Sequence, residues 1–130
     1  MQYRTMRFQK TEDRVSLLGF GCMRFPKTES GAIDRERAGK MLDTALKAGV
    51  NYIDTAYPYH DGESEPFLGR ILAKYARDSY YLATKLPIWE LKKKEDVKRI
   101  FDDQLERLGV DHVDFYLLHG LDKERWQTVK

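Results

Sequence analysis

Four short apolar runs alternate with three stretches of helical periodicity along the chain. The runs with strand character cover residues 15–20, 50–53, 80–84 and 113–118. The last two are nearly continuous in apolar or β-favouring residues, which is typical of strands buried on both faces of a parallel sheet. Strands that alternate with helices indicate repeated βαβ units. This order constrains the fold more than any other feature and predicts an α/β protein.

The three predicted helices have recognisable ends. Asp34 is expected to cap the first helix and Gly49 to end it, Ser64 to cap the second with Pro66 in its first turn, and Gly109 to end the third. The residues expected on their buried faces are Ala38, Met41, Leu42, Ala45 and Leu46, then Phe67, Leu68, Ile71, Leu72 and Tyr75, then Val97, Ile100, Phe101, Leu105 and Leu108.

Both ends of the chain add partial features. Residues 3–8 resemble a strand, and the polar residues 11–13 resemble a turn, so a small N-terminal β-hairpin is predicted. Asp122 is placed to cap a fourth helix that stops at Lys130. A complete β/α barrel takes roughly 250 residues. Residues 1–130 are therefore predicted to form one partial domain, the N-terminal half of a (β/α)8 TIM barrel with four parallel strands, truncated within the fourth helix.

Composition limits the partners and the compartment. The chain is 42% hydrophobic and 34% charged, with a formal net charge of +2, which favours a globular fold and gives no reason to expect nucleic acid or a membrane as partner. No apolar run reaches the ~18 residues that span a bilayer. Cys22 is the single cysteine, so neither an internal disulfide nor a thiolate metal cluster is expected. No metal site is predicted, and a cytoplasmic location is expected.

Reactive side chains follow three of the predicted strands. Asp54 closes the second strand, Lys85 the third and His119 the fourth, and Tyr59 lies five residues beyond Asp54. Each residue alone has an ordinary explanation, such as loop capping or a salt bridge. Chemistry in parallel β/α folds occurs at the carboxyl ends of the strands, however, and those ends share one face. The four side chains are therefore expected to converge.

Together the four side chains suit the reduction of a carbonyl group. A tyrosine hydroxyl such as that of Tyr59 holds its proton at neutral pH and can donate it to a developing alkoxide. The Lys85 ammonium would stabilise the phenolate that remains, and Asp54 would keep that ammonium charged and oriented. His119 could hydrogen-bond the substrate oxygen and orient it.

Several segments resemble the aldo-keto reductase family. They cover nearly the whole chain in the family's order, and they are Leu18-Gly19-Phe20-Gly21-Cys22-Met23-Arg24, Asn51-Tyr52-Ile53-Asp54-Thr55-Ala56-Tyr57-Pro58-Tyr59, Ser64-Glu65-Pro66-Phe67-Leu68-Gly69, Ala83-Thr84-Lys85 and Asp114-Phe115-Tyr116-Leu117-Leu118-His119. The resemblance implies a (β/α)8 barrel that reduces small-molecule aldehydes or ketones with NADPH or NADH.

By position, the resemblance implies that Tyr59 is the general acid, that Lys85 and Asp54 tune it, and that His119 orients the substrate. Trp89, after the third strand, would form an apolar wall of the substrate pocket. Asp54 would also lie near the nicotinamide and its ribose. The turn expected beside them consists of Gly21, Cys22, Met23 and Arg24.

Two details indicate which branch of the family the chain resembles. His60 stands where many members of the family have glycine after the acid, and Gly120-Leu121 follows His119 where many have tryptophan. These features resemble a microbial branch whose longer members carry a C-terminal iron–sulfur domain, of which the 130 residues contain no part. The family's phosphate- and adenine-binding segments come from later strands, so the cofactor site is expected to be incomplete here.

Alternatives remain open. Lys85 could act as a Schiff-base nucleophile in a barrel lyase, or the fold could serve as a non-catalytic binding or regulatory fragment. A four-stranded half barrel also leaves two open sheet edges. Self-association through those edges, or marginal stability of the isolated chain, is therefore expected.

Overall fold

Six strands and four α-helices are described by a computed structural model, which covers residues 1–6 and 13–130. The strands are β1 (Tyr3–Thr5), β2 (Arg14–Ser16), β3 (Phe20–Gly21), β4 (Tyr52–Asp54), β5 (Tyr81–Leu86) and β6 (Phe115–Leu118). The α-helices are α1 (Arg35–Lys47), α2 (Ser64–Leu72), α3 (Glu95–Leu108) and α4 (Lys123–Val129), and short 3₁₀ helices cover Arg77–Ser79 and Ile88–Glu90. Within the described residues, no helix has the length and apolar character needed to cross a membrane.

The four strands β3 to β6 form one parallel sheet in chain order. Gly21 pairs with Asp54, Asp54 with Ala83, and Lys85 with Leu117. A helix connects each strand to the next, which confirms the predicted β/α units and the four parallel strands of a half barrel. Because the strands run in the same direction, their carboxyl ends lie at one edge of the sheet.

The predicted first strand, residues 15–20, is divided in the structure. Its first part belongs to β2, which pairs antiparallel with β1 and forms the predicted N-terminal hairpin, whereas its last residue belongs to β3. Leu17 and Leu18 between them are about 60% exposed (61% and 62%). The hairpin is held by Asn51, whose side chain accepts from the Ser16 amide at 2.7 Å and donates to the Arg14 carbonyl at 2.9 Å. Residues 7–12 of the predicted strand and turn lie outside the described residues.

The helix ends follow local chemistry with one exception. Asp34 caps α1 by accepting from the Arg37 amide at 3.1 Å, and Gly109 ends α3 with a positive φ of 65°. The prediction that Ser64 caps α2 is wrong. Ser64 is the first residue of the helix, and its buried hydroxyl hydrogen-bonds the Thr55 hydroxyl at 2.9 Å. The start of α2 packs onto the end of β4, and this contact takes the hydroxyl away from its own helix.

Hydrophobic side chains fill the space between the sheet and the helices. The main cluster of buried residues consists of Cys22, Phe25, Ile33, Ala38, Leu42, Ile53, Phe67, Leu68, Leu72, Tyr80, Leu82 and Leu108. Met41 and Val97 were expected on buried helix faces but are 47% and 38% exposed. Tyr75 lies beyond the end of α2, yet it still packs against this cluster.

Two helical glycines should respond to substitution with opposite signs. A Cβ atom on Gly69 would lie 2.7 Å from the Arg107 carbonyl oxygen and 2.9 Å from the Leu108 carbonyl carbon, because α2 and the end of α3 approach through this residue. A Cβ on Gly39 in α1 would meet only Ile71, at an ordinary 3.5 Å. We expect Gly69→Ala to lower the free energy of unfolding by about 1–3 kcal/mol. Gly39→Ala should raise it by about 0.5–1 kcal/mol.

Urea denaturation of both variants measures this contrast. The gain in helix propensity from glycine to alanine is similar at the two positions. An opposite sign of the two stability changes therefore measures the steric cost of a Cβ atom where α2 contacts α3. Equal stabilisation by both substitutions would show that α2 can move away from α3 at little cost.

Candidate active site

An ion pair joins the ends of two neighbouring strands. The Lys85 ammonium donates to Asp54 Oδ1 at 2.7 Å and to the Thr55 carbonyl at 2.7 Å. The side chains of Lys85 and Asp54 are 14% and 29% exposed. The register that pairs Asp54 with Ala83 brings the two side chains together. The Thr55 carbonyl, which sequence reasoning did not identify, is a second fixed acceptor for the ammonium.

Three aromatic rings extend the site away from this ion pair. The Lys85 ammonium lies 4.8 Å from the centroid of the Tyr59 ring. The His119 ring meets Tyr59 edge-on, with centroids 5.9 Å apart and an interplanar angle of 89°, and the half-exposed Trp89 ring lies 4.9 Å from His119. The structure thus brings together all five side chains that the sequence placed at the catalytic and substrate positions.

The loop that carries Tyr59 turns back on itself. The Tyr59 amide donates to the Ala56 carbonyl at 3.2 Å. His60 and Asp61 then have positive φ values of 55° and 53°, followed by Gly62 at 86°. Left-handed backbone costs about 1–3 kcal/mol at a residue with a side chain and persists only where the surroundings hold it. This turn directs the chain back into α2.

Arg107 of α3 holds that loop in place. Its guanidinium donates to the carbonyls of Tyr57 and Gly62 and stacks over the Tyr57 ring at 4.5 Å. Its Nε also lies 3.3 Å from Oε2 of the buried Glu65. Sequence reasoning did not identify Arg107, because its partners are about 40 to 50 positions away along the chain.

Burial keeps the His119 ring neutral. Desolvation lowers the pKa of His119, the Lys85 ammonium lowers it further, and the Asp54 carboxylate opposes both. The Nδ1 atom of His119 is buried and has no hydrogen-bond partner among the described residues. The backbone amide of His119 donates to the Leu86 carbonyl at 3.0 Å, which continues the strand pairing to the edge of the site. A neutral ring can donate a hydrogen bond to a ligand oxygen.

The turn after β3 lies beside Asp54. The Cys22 amide donates to the Asp54 carbonyl at 2.8 Å. The Cys22 side chain itself is fully buried in the main cluster, and burial together with the Asp54 carboxylate raises the pKa of its thiol far above the ordinary value. Gly21, Met23 and Arg24 are exposed. Of the four turn residues predicted near the nicotinamide together with Asp54, these three can therefore be reached from outside.

A buried polar network lies behind Lys85. Glu65 Oε1 accepts from the Thr84 hydroxyl at 2.7 Å and from Gln104 Nε2 at 2.8 Å, and Gln104 also donates to the Lys85 carbonyl at 3.0 Å. The Tyr116 hydroxyl donates to Gln104 Oε1 at 2.6 Å. Burial raises the pKa of Glu65, and the hydrogen bonds from Thr84 and Gln104 oppose that rise. The network ties the backbone of Lys85 to α2, α3 and β6.

Among residues 1–6 and 13–130, no group of three or more His, Cys, Asp or Glu side chains is placed to hold a metal ion. The groups that converge at the strand ends are a tyrosine, a lysine ammonium paired with a carboxylate, and an imidazole.

These groups lie at the carboxyl ends of the parallel sheet, the position that holds the active site in β/α barrel enzymes. Residues 17–125 match the sequence model of the Aldo/keto reductase family. The chain belongs to this family.

Relatives and solved structures agree with that membership. The chain is 31% identical over 117 residues to the NADH-specific methylglyoxal reductase of Escherichia coli, covering 77% of this chain and 34% of the relative. An aldo-keto reductase of Gibberella moniliformis is 32% identical over 126 residues, covering 92% of this chain and 38% of the relative.

Two solved structures have the same fold. An aldo-keto reductase from Klebsiella pneumoniae in complex with NADPH superposes with a TM-score of 0.74 at 29% identity, over 92% of this chain and 40% of that one. The holo form of a Bacillus halodurans aldo-keto reductase gives a TM-score of 0.78 at 32% identity, over 95% and 42%. The chain thus spans between a third and a half of the length of these relatives.

Proposed function

We propose that this chain supplies the proton-donating and substrate-orienting half of a site that reduces aldehydes or ketones to alcohols with NADPH or NADH. One observation carries the proposal: the Lys85 ammonium is held by Asp54 and lies over the Tyr59 ring, and His119 meets that ring edge-on. The names of the relatives that bind NADPH or are specific for NADH support the choice of cofactor.

In the proposed reaction, Tyr59 gives its hydroxyl proton to the carbonyl oxygen as that oxygen becomes an alkoxide. The Lys85 ammonium stabilises the phenolate that is left, and Asp54 with the Thr55 carbonyl keeps the ammonium fixed. His119 hydrogen-bonds the carbonyl oxygen, and Trp89 covers one side of the substrate.

The turn after β3 fits the nicotinamide end of the cofactor. Met23 and Arg24 are exposed, and the Cys22 amide holds this turn against the partly exposed Asp54. The reduced nicotinamide supplies a hydride to the carbonyl carbon when it is bound. The chain's own residues hold and deliver the proton.

The lysine contacts disfavour the Schiff-base lyase. A nucleophilic amine must lose its proton, whereas Lys85 donates to a carboxylate and a carbonyl, which both favour the ammonium. After borohydride reduction in the presence of an aldehyde, peptide mapping should therefore show less modification at Lys85 than at exposed lysines such as Lys92 and Lys94. Covalent addition at Lys85 would favour the lyase.

The open edges of the sheet offer a surface through which two copies of the chain could pair. On the outer strand β6, Tyr116, Leu117 and Leu118 are each 36–40% exposed. We propose that the isolated chain self-associates through such edges, because an unpaired strand offers free backbone donors and acceptors. Light scattering of the purified chain tests this. A monodisperse monomer at about 100 µM, within the range in which exposed strand edges lead to association, would contradict it.

Deuterium transfer tests the proposed function. The chain is incubated with benzaldehyde and NADPH deuterated at C4, and the benzyl alcohol is analysed by mass spectrometry. A chimera in which residues 1–130 replace the matching 40% of the Klebsiella reductase is assayed in parallel. We expect deuterated alcohol from the chimera. A chimera that folds and binds NADPH but forms no alcohol would contradict the proposal and favour a non-catalytic role.

A further inference from the structure

His60 occupies an unusual position directly after Tyr59. Its backbone is left-handed, with φ at 55°, and so is that of Asp61 at 53°. Positive φ is uncommon for residues other than glycine, and two in succession need surroundings that hold them. The His60 side chain provides one such contact.

The His60 ring connects two separate loops of the site. The Phe25 amide, in the loop between β3 and α1, donates to His60 Nε2 at 3.0 Å, although the residues are 35 positions apart. The His60 and Phe25 rings also pack together, with centroids 5.6 Å apart. Phe25 is 4% exposed and packs edge-on against Phe67 of α2 at 5.1 Å. The ring therefore joins the turn that begins at Cys22 to the loop that carries Tyr59.

This hydrogen bond requires an unprotonated Nε2. A neutral imidazole has one acceptor nitrogen, so its proton is on Nδ1. His60 Nδ1 is buried and has no hydrogen-bond partner among the described residues. Burial lowers the pKa of His60, Lys27 lowers it further, and Glu63 and Asp61 oppose this. The nearby Cys22 backbone carbonyl also favours the protonated ring and opposes the lowering of its pKa. At neutral pH the acceptor is available.

We propose that His60 is a positioning residue that fixes the turn of Cys22 to Phe25 relative to Tyr59 through the Phe25 amide, and that protonation of His60 releases this turn. That one loop lies near the nicotinamide and the other carries the general acid rests on the function proposed above. The contact between the two loops does not depend on that function.

Protonation changes the contact in a defined way. In an imidazolium both nitrogens donate, so an Nε2–H would face the Phe25 N–H. A buried amide that loses its acceptor is costly, and the loop must move or take up water. Because the pKa of His60 is lower in the folded chain, the contact is complete above the ordinary histidine pKa of about 6.5 and is lost as the pH falls through the folded value.

Nuclear magnetic resonance on the 130-residue chain tests the connection without any activity. The chain has three histidines, so their ring protons can be assigned from single variants. We expect the Phe25 amide to shift with the same midpoint as the His60 ring between pH 8 and pH 5, and its hydrogen exchange, corrected for the intrinsic pH dependence, to become at least about tenfold faster below that midpoint.

Two substitutions and one control make the result specific. Asparagine tolerates positive φ and does not titrate, so His60→Asn should abolish the pH dependence at Phe25. His60→Gly, the residue that the family often has here, should leave the Phe25 amide exchanging fast at every pH. His112→Asn should change nothing at Phe25, because the exposed His112 ring lies beside the carboxylates of Asp111 and Asp114 and has no described contact with Phe25. A Phe25 amide that ignores the His60 titration, or titrates equally in His60→Asn, would overturn the proposal.

The consequence for the site is measured in the chimera. We expect the Kd for NADPH to rise by about fivefold to tenfold below the His60 midpoint and to lose this pH dependence in His60→Asn. The KM for benzaldehyde should not share the change. If His60 had a purely structural role, His60→Asn and His60→Gly would both weaken NADPH binding at all pH values. Absence of NADPH binding would count against the proposed function, whereas the Phe25 measurement would still decide the connection.

Discussion

Replacing Tyr59 with phenylalanine is expected to lower kcat for aldehyde reduction in the chimera by roughly 10²–10⁴-fold, the usual contribution of a general acid. The substitution removes only the hydroxyl. The ring remains under the Lys85 ammonium at 4.8 Å and edge-on to His119 at 5.9 Å, so neither neighbour loses its packing. The Kd for NADPH should stay unchanged. Steady-state kinetics and fluorescence titration measure the two quantities.

Tyr57→Phe is the matched control. Tyr57 lies two residues earlier in the same loop, and its ring packs under Arg107 and not under Lys85. It should therefore leave kcat within about twofold of the parent, as expected for a hydroxyl that makes no contact with the reacting atoms. Equal losses in the two variants would show that loop packing, and not the Tyr59 proton, limits the reaction.

Glu65→Ala should have the largest effect on stability, with a loss of about 3–5 kcal/mol in the free energy of unfolding. Glu65 is fully buried, and its removal leaves the Thr84 hydroxyl without its acceptor, Gln104 Nε2 with one acceptor fewer and Arg107 without its buried carboxylate. A typical domain is stable by 5–15 kcal/mol, so this loss is a large part of the total. Chemical denaturation followed by circular dichroism measures it.

Asp103→Ala is the matched control, because it removes an exposed carboxylate near Arg107 and not a buried one. Asp103 is the other carboxylate near Arg107, but it is 47% exposed and lies 3.8 Å from the guanidinium, so its loss should cost no more than about 1 kcal/mol. Glu65→Gln should fall between the two, because the amide oxygen can still accept from Gln104. A Glu65→Ala chain as stable as Asp103→Ala would contradict the importance of the buried network.

These two predictions concern different layers of one site. The groups proposed to meet the substrate lie at the carboxyl ends of β4, β5 and β6. The groups that hold them lie behind the sheet, where Gln104 donates to the Lys85 carbonyl and Arg107 binds the loop before α2. The Ala83 carbonyl accepts from the Thr55 amide, and carbonyls two residues apart point to the same side of a strand. The Lys85 carbonyl therefore faces the side of β4 but lies beyond the end of that strand, and the Gln104 side chain donates to it in place of a strand amide.

Much of the architecture is readable in the sequence because it depends on local chemistry. Alternation of apolar runs with helical periodicity predicted the four parallel strands, since each pattern reflects which faces of an element are buried. Asp34 and Gly109 marked helix ends through contacts within one turn. The convergence of Asp54, Lys85 and His119 followed from strand direction alone, because the carboxyl ends of parallel strands share one edge.

Other features were decided only when distant segments met. The run at 15–20 has the same apolar character whether it pairs antiparallel with β1 or parallel with β4, so its division between β2 and β3 is invisible in the pattern. Ser64 has the chemistry of a helix cap, but Thr55 takes its hydroxyl. Glu65 lay within a recognised motif, whereas nothing near Gln104 or Arg107 indicated that they bind it. The same holds for His60 and the Phe25 amide. A side chain's hydrogen-bond partner is set by which groups burial leaves unpaired nearby, and that depends on the packing of whole elements and not on neighbours along the chain.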